Sequence, residues 1–312
     1  MSSLIFLMIF FKLIPMKIAT ACGVTLHAPK HARITFFNSP YPAHREKKAV
    51  DIYFGDEIAL SPVEGKVVEI RRFEVAKPAY FFKVLDRDAF DFKGEKYEYA
   101  TIIRSSENPN KVVKIIHMKP FVKKGEKVEV FQEIGELIRS KLFTFWTGKH
   151  IHVEIRNPND ALRARGGEEL KIIGNKEAKR AKVELNGRLV YLNENLAKFA
   201  LESITKAGSF YGVPALAGEK AGLIDGGIPY NGYGAILTKV EEGTPVIIAN
   251  FEVGRIVKSY EDASIFACRG FQVKALGLKL RGLSLTLSLQ NNCKISLIPN
   301  KRGDWFGRNK TS

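Results

Sequence analysis

The chain has 312 residues, 45% hydrophobic and 11% aromatic, which is enough apolar material for roughly two domains with packed cores. Lys and Arg outnumber Asp and Glu by 49 to 33, giving a formal net charge of +16. This balance attracts anions, but no stretch shows the ordered basic and aromatic pattern of a nucleic-acid-binding module, so no specific nucleic-acid partner is expected. The three cysteines form no C-x-x-C pair and are odd in number, which argues against a disulfide framework and a cysteine zinc site.

The chain begins with an apolar run, Leu4 to Phe11, which is too short to span a bilayer. No basic residue precedes the run, as a signal peptide would require, and Met16 stands before a predicted strand over residues 18–26. We therefore interpret residues 1–15 as an apolar extension, through which any membrane contact is expected to occur. If translation starts at Met16 the protein is expected to be cytoplasmic, and otherwise membrane-associated or exported.

Residues 33–158 alternate Val, Ile, Phe and Tyr with Gly, Pro and Asn, a pattern typical of β-structure. Tyr97 to Arg104 and Lys111 to His117 predict a hairpin around residues 106–110. Residues 61–70 predict a turn followed by a strand. No long helix is predicted in this region, and the first domain, residues 16–160, is expected to be all-β.

The segment Gly148-Lys149-His150-Ile151-His152-Val153-Glu154-Ile155 predicts a strand with both histidines on one face. The three apolar residues alternate with them and are expected to face a core. Two neutral imidazoles on one rigid face suit a transition metal or an acid–base pair. The alternative is a surface strand with two incidental histidines. The chain contains only six histidines, which favours a site.

Further motifs stand along residues 30–158, namely Ala49-Val50-Asp51-Ile52, Pro62-Val63-Glu64-Gly65-Lys66-Val67, Ile115-Ile116-His117-Met118, Val122-Lys123-Lys124-Gly125-Glu126-Lys127-Val128 with Gln132-Glu133-Ile134-Gly135, and the His-x-His strand. Their order resembles that of the lysostaphin/LytM-type zinc metallopeptidases, the cell-wall endopeptidases of peptidase family M twenty-three. The resemblance implies a mainly β fold, with an N-terminal β-sandwich or barrel-sandwich hybrid built on a duplicated hybrid motif. It also implies Zn2+ as the cofactor and a peptide, of the cell-wall type in the family, as the substrate.

By position in the family pattern, His44, Asp51 and His152 are the zinc ligands, and His117 and His150 are the catalytic histidines. One carboxylate and two imidazoles with an open fourth position form the ligand set of a catalytic zinc site. The first motif departs from the pattern, because the family's histidine aligns with Lys47 and its glycine with Ala49. A three-residue bulge before the strand is expected to bring His44 to the metal.

The altered first motif leaves two functions open. The first is a zinc-dependent hydrolase that cleaves peptide bonds. The second is a degenerate member of the family that acts as a binding or scaffold module. Strand–turn pieces of the chain also resemble biotinyl- and lipoyl-carrier domains and a phosphocarrier domain. A carrier needs a lysine at a tight hairpin tip, which is absent, and a phosphocarrier needs no carboxylate ligand such as Asp51.

The second half carries no histidine and resembles no family that we can name. Residues 161–182 are charged and contain glycine, which predicts a linker. Residues 183–300 predict a mostly β accessory domain with one helix, Asn193 to Lys206, and with a hairpin turn at Asp225-Gly226-Gly227. Residues 301–312 are interpreted as a basic tail.

Overall fold

The computed structural model describes residues 15–39, 41–75, 95–143, 147–178, 187–192, 197–201, 205–228, 232–248, 251–268, 272–275, 278–281, 283–287 and 294–299. These residues divide into two compact units. The first contains the described residues up to 174 except 37–39, and the second contains 37–39 and the described residues from 175 onward. The predicted extension and basic tail lie outside the described residues, apart from Pro15. In the described part of the chain, no helix is both long and apolar enough to cross a membrane.

The first unit is mainly β, as predicted. Among its described residues, one α-helix, α1, covers Pro42–Arg45, and a 3-10 turn covers Pro158–Asp160. The strands are β1 Pro15–Ala21, β2 Val24–Pro29, β3 Arg33–Thr35, β4 Val50–Tyr53, β5 Ile58–Leu60, β6 Gly65–Glu74, β7 Tyr97–Ser105, β8 Val112–Ile116, β9 Met118–Pro120, β10 Lys127–Val128, β11 Glu133–Leu137, β12 Ile151–Arg156 and β13 Lys171–Ile172.

Seven strands of this unit form one sheet in the order β10-β6-β7-β8-β12-β4-β3, and two three-stranded sheets have the orders β5-β11-β9 and β13-β1-β2. The predicted hairpin is confirmed, because β7 and β8 pair antiparallel around residues 106–110. The His-x-His strand is β12, between β8 and β4. Ile151, Val153 and Ile155 are fully buried, as the alternation predicts, and His150 and His152 are only 3% and 7% exposed. The surface-strand alternative is therefore wrong.

The single strand predicted over residues 18–26 is instead a hairpin of β1 and β2. Its turn is formed by Cys22 and Gly23, whose φ angles are 48° and 77°. Two successive left-handed residues reverse the chain in the two-residue turn that suits a β-hairpin, and glycine adopts this conformation without steric cost. The apolar residues on both sides of the turn concealed this reversal in the sequence.

Two glycines in the motifs stand where strands approach closely. A Cβ added to Gly65 in β6 would collide with the carbonyl oxygen of Arg104 in β7. A Cβ added to Gly135 in β11 would lie 2.6 Å from the carbonyl oxygen of Lys119 in β9. Because backbone is the obstacle in both cases, a side chain would require the paired strands to separate. The motif glycines therefore set the spacing between strands.

The second unit is also mainly β, and its described residues contain no helix. Its strands are β14 Gly187–Leu192, β15 Ala197–Leu201, β16 Thr205–Ala207, β17 Phe210–Gly212, β18 Pro214–Ala217, β19 Lys220–Ile228, β20 Tyr233–Ile236, β21 Pro245–Ile248, β22 Phe251–Ser259, β23 Ser264–Cys268, β24 Gln272–Ala275, β25 Leu278–Arg281, β26 Leu283–Leu287 and β27 Lys294–Pro299. A ten-stranded sheet has the order β14-β15-β27-β26-β19-β18-β21-β22-β23-β20. Since β20 also pairs with β19, the six strands from β19 to β20 close into a barrel.

The helix predicted from Asn193 to Lys206 is wrong where the structure describes this segment. Residues 197–201 form β15, which pairs with β14 on one side and with β27 on the other. The residues Ala197, Phe199 and Leu201 alternate with Lys198 and Ala200, so the segment also satisfies the period of a strand. Pairing on both sides supplies the backbone hydrogen bonds that a helix would have formed, and this tertiary context overrides the local pattern.

The turn predicted at Asp225-Gly226-Gly227 is also wrong, because these residues lie within the continuous strand β19. Residues up to Asp225 pair with β20, whereas residues from Gly226 pair with β26. Gly226 has a φ of 131°, and a Cβ there would lie 2.9 Å from the Cα of Gly234. The glycine thus marks the position at which the strand leaves the barrel, and the chain does not reverse there.

Candidate metal centre

The register of the seven-stranded sheet places the predicted site residues in two neighbouring rows on one face. In the first row, Asp51 of β4 stands opposite His152 of β12 on one side and Thr35 of β3 on the other. In the second row, two residues along β4, Tyr53 stands opposite Arg33. His150 precedes β12 by one residue, and its ring lies 4.6 Å from that of Tyr53. Strand alternation therefore brings residues from distant parts of the sequence onto the same face.

His44 reaches this face because the chain before β4 is compact. Residues 42–45 form the single turn α1, with Pro42 at its start, and Lys47 has a φ of 55°. A helix advances about 1.5 Å per residue and a strand about 3.3 Å, so a helical turn absorbs the additional residues between His44 and Asp51. The expected three-residue bulge is thus a helical turn followed by a left-handed residue. The His44 side chain is fully buried, and its hydrogen-bond contact with His152 is buried as well.

Three ligand atoms converge at this point. His44 Nε2 lies 3.0 Å from His152 Nδ1 and 3.1 Å from Asp51 Oδ1, and His152 Nδ1 lies 3.0 Å from Asp51 Oδ1. The atoms therefore form a nearly equilateral triangle. A tetrahedral zinc ion with ligand bonds of ~2.0–2.1 Å separates its ligand atoms by about 3.3 Å. The triangle is close to that size, and its donor set of two imidazoles and one carboxylate is one that zinc binds.

The remaining hydrogen bonds of these side chains favour a cation inside the triangle. His44 Nδ1 lies 2.7 Å from the carbonyl oxygen of Phe36. It therefore carries the ring hydrogen and donates a hydrogen bond to that oxygen, which leaves a lone pair on Nε2. His152 Nε2 lies 3.1 Å from Glu154 Oε1, which accepts a hydrogen bond from Nε2–H and leaves a lone pair on Nδ1. Three lone pairs directed at one another repel, unless a metal ion or a proton lies among them. The partners of the distal ring nitrogens are those that a metal-binding histidine needs.

The pKa values of the site residues also indicate that either a metal ion or a proton is stabilised inside the triangle. Burial alone would raise the pKa of the Asp51 carboxyl, but His44 and His150, with hydrogen bonds from His152 and His44, hold this pKa well below its ordinary value. Burial lowers the pKa of His152, but hydrogen bonds to Asp51 and Glu154 outweigh it and raise the pKa to about 9. A proton on His152 therefore relieves the same repulsion as a metal ion, and the two are expected to compete.

The two predicted catalytic histidines lie beside the triangle. The ring centroid of His117 is 5.1 Å from that of His150 and 6.0 Å from that of His152. His150 donates from Nδ1 to the carbonyl oxygen of Gly148 at 2.8 Å, and its Nε2 lies 3.4 Å from Asp51 Oδ2. Phe143 stacks on His150 with a centroid distance of 4.4 Å. Burial lowers the pKa of His150 to about 3, against the opposing effect of Asp51, so this imidazole is neutral.

Glu98 is a member of the site that sequence reasoning missed. Its fully buried carboxylate lies 2.7 Å from His117 Nδ1 and accepts the backbone N–H of the same residue at 2.9 Å. Burial would raise the pKa of Glu98, but the charge and hydrogen bond of His117 lower it. His117 itself has a φ of 75°, a conformation that is rare for a residue other than glycine. A glutamate in the stretch 97–103, which is otherwise apolar or aromatic apart from Thr101, is the signal that would have indicated it.

Glu154 is the second such residue, and it anchors a buried charged cluster. Its carboxylate contacts His152 on one side and the side chains of Lys114 and Arg156 on the other, with Lys114 Nζ at 3.2 Å. Arg156 is fully buried and also donates to the carbonyl oxygen of Asp160 at 3.1 Å. Burial would raise the pKa of Glu154, but these three partners lower it, so the carboxylate is ionised. Its spacing of two residues from His152 places it on the same face and was visible in the sequence.

Comparison with known proteins adds a family match but no function. The family model described as "Domain of unknown function (DUF8155) N-terminal domain" matches residues 25–172, a range that contains all five predicted site residues. No curated protein matches the chain. Among solved structures, the chain is similar to one described as the NMR solution structure of lysostaphin, at 13% identity and a TM-score of 0.26, over 76% of this chain and 94% of that one. At that TM-score the likeness carries no information about the chemistry of the site.

Proposed function

We propose that the first unit is a zinc-dependent hydrolase that cleaves peptide bonds. The observation that carries the proposal is the convergence of His44 Nε2, Asp51 Oδ1 and His152 Nδ1 within 3.1 Å of one another, with two further imidazoles alongside. The order of sequence motifs, which resembles that of the lysostaphin/LytM-type peptidases, supports a peptide as the substrate. The altered spacing of the first motif does not weaken the proposal, because α1 brings His44 to the other ligands.

Zinc held by this triad would supply a Lewis acid and lower the pKa of a bound water toward ~7. The hydrogen bonds of the two neighbouring histidines support a different task for each. His150 donates from Nδ1 to Gly148, so its Nε2 carries a lone pair and can accept a hydrogen bond from a water molecule. His117 donates from Nδ1 to the carboxylate of Glu98, which fixes the orientation of its ring. His117 is therefore suited to stabilise a developing oxyanion or to protonate the leaving amine.

The experiment that tests the proposal is elemental analysis of the purified full-length chain, followed by a screen of short peptides for cleavage. About one zinc ion per chain is expected, with loss of both zinc and cleavage in Asp51→Ala. His31→Ala is the matched control, because His31 is an exposed histidine outside the site and should retain both. A chain that binds no zinc after zinc is added, or binds it and cleaves no peptide, would overturn the hydrolase and leave a binding module.

A further inference from the structure

A cationic side chain stands at the end of the second row of site residues. Arg33 lies on β3, the edge strand of the seven-stranded sheet, opposite Tyr53. The guanidinium carbon of Arg33 is 3.5 Å from the centroid of the Tyr53 ring, which in turn lies 4.6 Å from the ring of His150. Tyr53 and His150 are buried, whereas Arg33 is partly exposed. The row therefore runs from solvent at Arg33 to the imidazole beside the metal centre.

Gly148 leaves room for this arrangement. A Cβ added there would lie 3.3 Å from Arg33 Nη2 and 3.7 Å from two atoms of the Tyr53 ring. The same residue accepts the hydrogen bond of His150 through its carbonyl oxygen. The backbone that fixes the catalytic imidazole thus also borders the guanidinium, and the two groups are held in a defined relation.

Within the part of the chain that the structure describes, the guanidinium of Arg33 forms no ion pair and stacks on the ring of Tyr53. Stacking on an aromatic face leaves the N–H groups at the edge of a guanidinium available. These donors form a planar fork that matches a carboxylate, with two parallel hydrogen bonds. A neutral amide offers one acceptor and no charge, so it would bind the fork more weakly.

We infer that Arg33 binds a carboxylate of the substrate, so that the site acts on peptides carrying a negative charge near the bond that is cleaved. The inference rests on the proposed function for the identity of the site, and it adds the class of substrate. The carboxylate belongs either to the chain end of the peptide or to an Asp or Glu side chain. Both present the same planar pair of oxygens, and the two sources can be separated by the choice of peptide.

The test measures binding of labelled short peptides to the full-length chain, by fluorescence anisotropy, with the products followed by mass spectrometry. One pair of peptides differs only in a terminal carboxylate or carboxamide, and a second pair, amidated at the terminus, differs only in an internal Glu or Gln. Each pair is measured with wild type, Arg33→Gln and Arg33→Lys. The carboxylate member of at least one pair is expected to bind wild type about tenfold more tightly than its neutral partner. This preference should disappear in Arg33→Gln and return in part in Arg33→Lys, which keeps the charge and loses the fork.

The neutral peptides are the control for folding, because their affinity should be the same in wild type and Arg33→Gln. Equal binding of both members of each pair to wild type would overturn the inference, as would a preference that survives in Arg33→Gln or a failure of every peptide to bind. A preference that depends on Arg33 without any cleavage would instead leave carboxylate binding by Arg33 standing and overturn the hydrolase. If Arg33→Gln fails to fold, the wild-type comparison of the two pairs still decides.

Discussion

The carboxylate of Glu98 holds one residue, His117, at two points: it accepts the backbone N–H at 2.9 Å and binds ring Nδ1 at 2.7 Å. His117 has a left-handed backbone, and such a conformation in a residue other than glycine costs on the order of 1–3 kcal/mol unless the surroundings impose it. Glu98 thus both stabilises the unusual backbone and fixes the orientation of the imidazole.

The first prediction concerns Glu98→Gln, which retains the shape of the side chain and removes its charge. Turnover is expected to fall on the order of 10²-fold, because the hydrogen bond from His117 Nδ1 loses the charged acceptor that orients the ring. Zinc content and KM should stay unchanged, since Glu98 contacts neither the ligands nor the proposed carboxylate site. Steady-state kinetics with elemental analysis check this, and a parallel loss of zinc would show that Glu98 supports the metal centre instead.

The pH dependence of stability provides an independent measurement on the same pair. The pKa of Glu98 is lower in the folded protein than its ordinary value of 4.5, so its ionised form stabilises the fold above that value. This contribution is lost as the pH falls through the folded pKa. The difference in unfolding free energy between wild type and Glu98→Gln is therefore expected to be largest near neutral pH and to shrink in acid. Urea unfolding at several pH values measures it, and a difference independent of pH would contradict the assignment.

The second prediction separates the two tasks of Glu154. Glu154→Gln retains an acceptor for His152 Nε2 but removes its charge, and is expected to weaken zinc binding about 10- to 100-fold, as mutation of such a partner typically does. Glu154→Ala leaves the buried Lys114 and Arg156 without this carboxylate, and is expected to lower the unfolding free energy by about 3–5 kcal/mol. Zinc titration and chemical unfolding of both variants check this. Glu154→Gln also removes the charge but keeps an acceptor oxygen, so its loss of stability is expected to be smaller. A stability of Glu154→Ala equal to that of wild type would show that the charged cluster does not depend on Glu154.

The third prediction distinguishes the two histidines of the central strand. His152→Ala should abolish zinc binding, because it removes one corner of the ligand triangle. His150→Ala should retain zinc and lose turnover. His150 donates its hydrogen bond to the carbonyl oxygen of Gly148 and stands beside the ligands without being one of them. Metal content and turnover are measured for both, with the exposed His31→Ala as the control. Retention of zinc by both variants, or its loss from both, would disprove the assignment of His152 as a metal ligand and of His150 as a catalytic residue that binds no metal.

The fourth prediction concerns the motif glycines. Gly65→Ala and Gly135→Ala are expected to destabilise the fold by about 1–3 kcal/mol or more, since the added Cβ meets backbone of the neighbouring strand. Gly55→Ala is the control. Gly55 has a left-handed backbone with a φ of 91°, but nothing lies within 4 Å of a Cβ added there. Its cost is expected to be about 1 kcal/mol, from backbone strain alone. Thermal unfolding ranks the three, and a larger loss for Gly55→Ala would contradict the explanation from close approach.

Local patterns in the sequence predicted the central strand, because the alternation around His150 and His152 is strict and the buried face is purely apolar. The hairpin of β7 and β8 was predictable for the same reason, since a cluster of turn residues separates two apolar runs. The mainly β character of the first unit followed from such segments. Each of these features depends on residues close together in the chain.

Features that depend on distant partners were not predictable from one sequence. The segment 197–201 has a pattern compatible with helix and strand, and pairing with β14 and β27 decides between them. Gly226 indicated a turn, but its neighbours show that β19 continues from the barrel to another strand. The tasks of Glu98 and Glu154 appear only when their hydrogen-bond partners are known, because an isolated glutamate is usually a solvated surface residue.

The short helix before β4 has a consequence for how such centres are detected. A ligand pair is usually sought as two letters at a fixed separation along the chain, yet here the separation between His44 and Asp51 is six intervening residues and their atoms still lie 3.1 Å apart. A connection that contains a helical turn can gain residues while the residues at its two ends stay equally close together. A sequence motif with a fixed spacing would therefore miss chains in which the donor atoms lie close together. A structural motif defined by interatomic distances would find them.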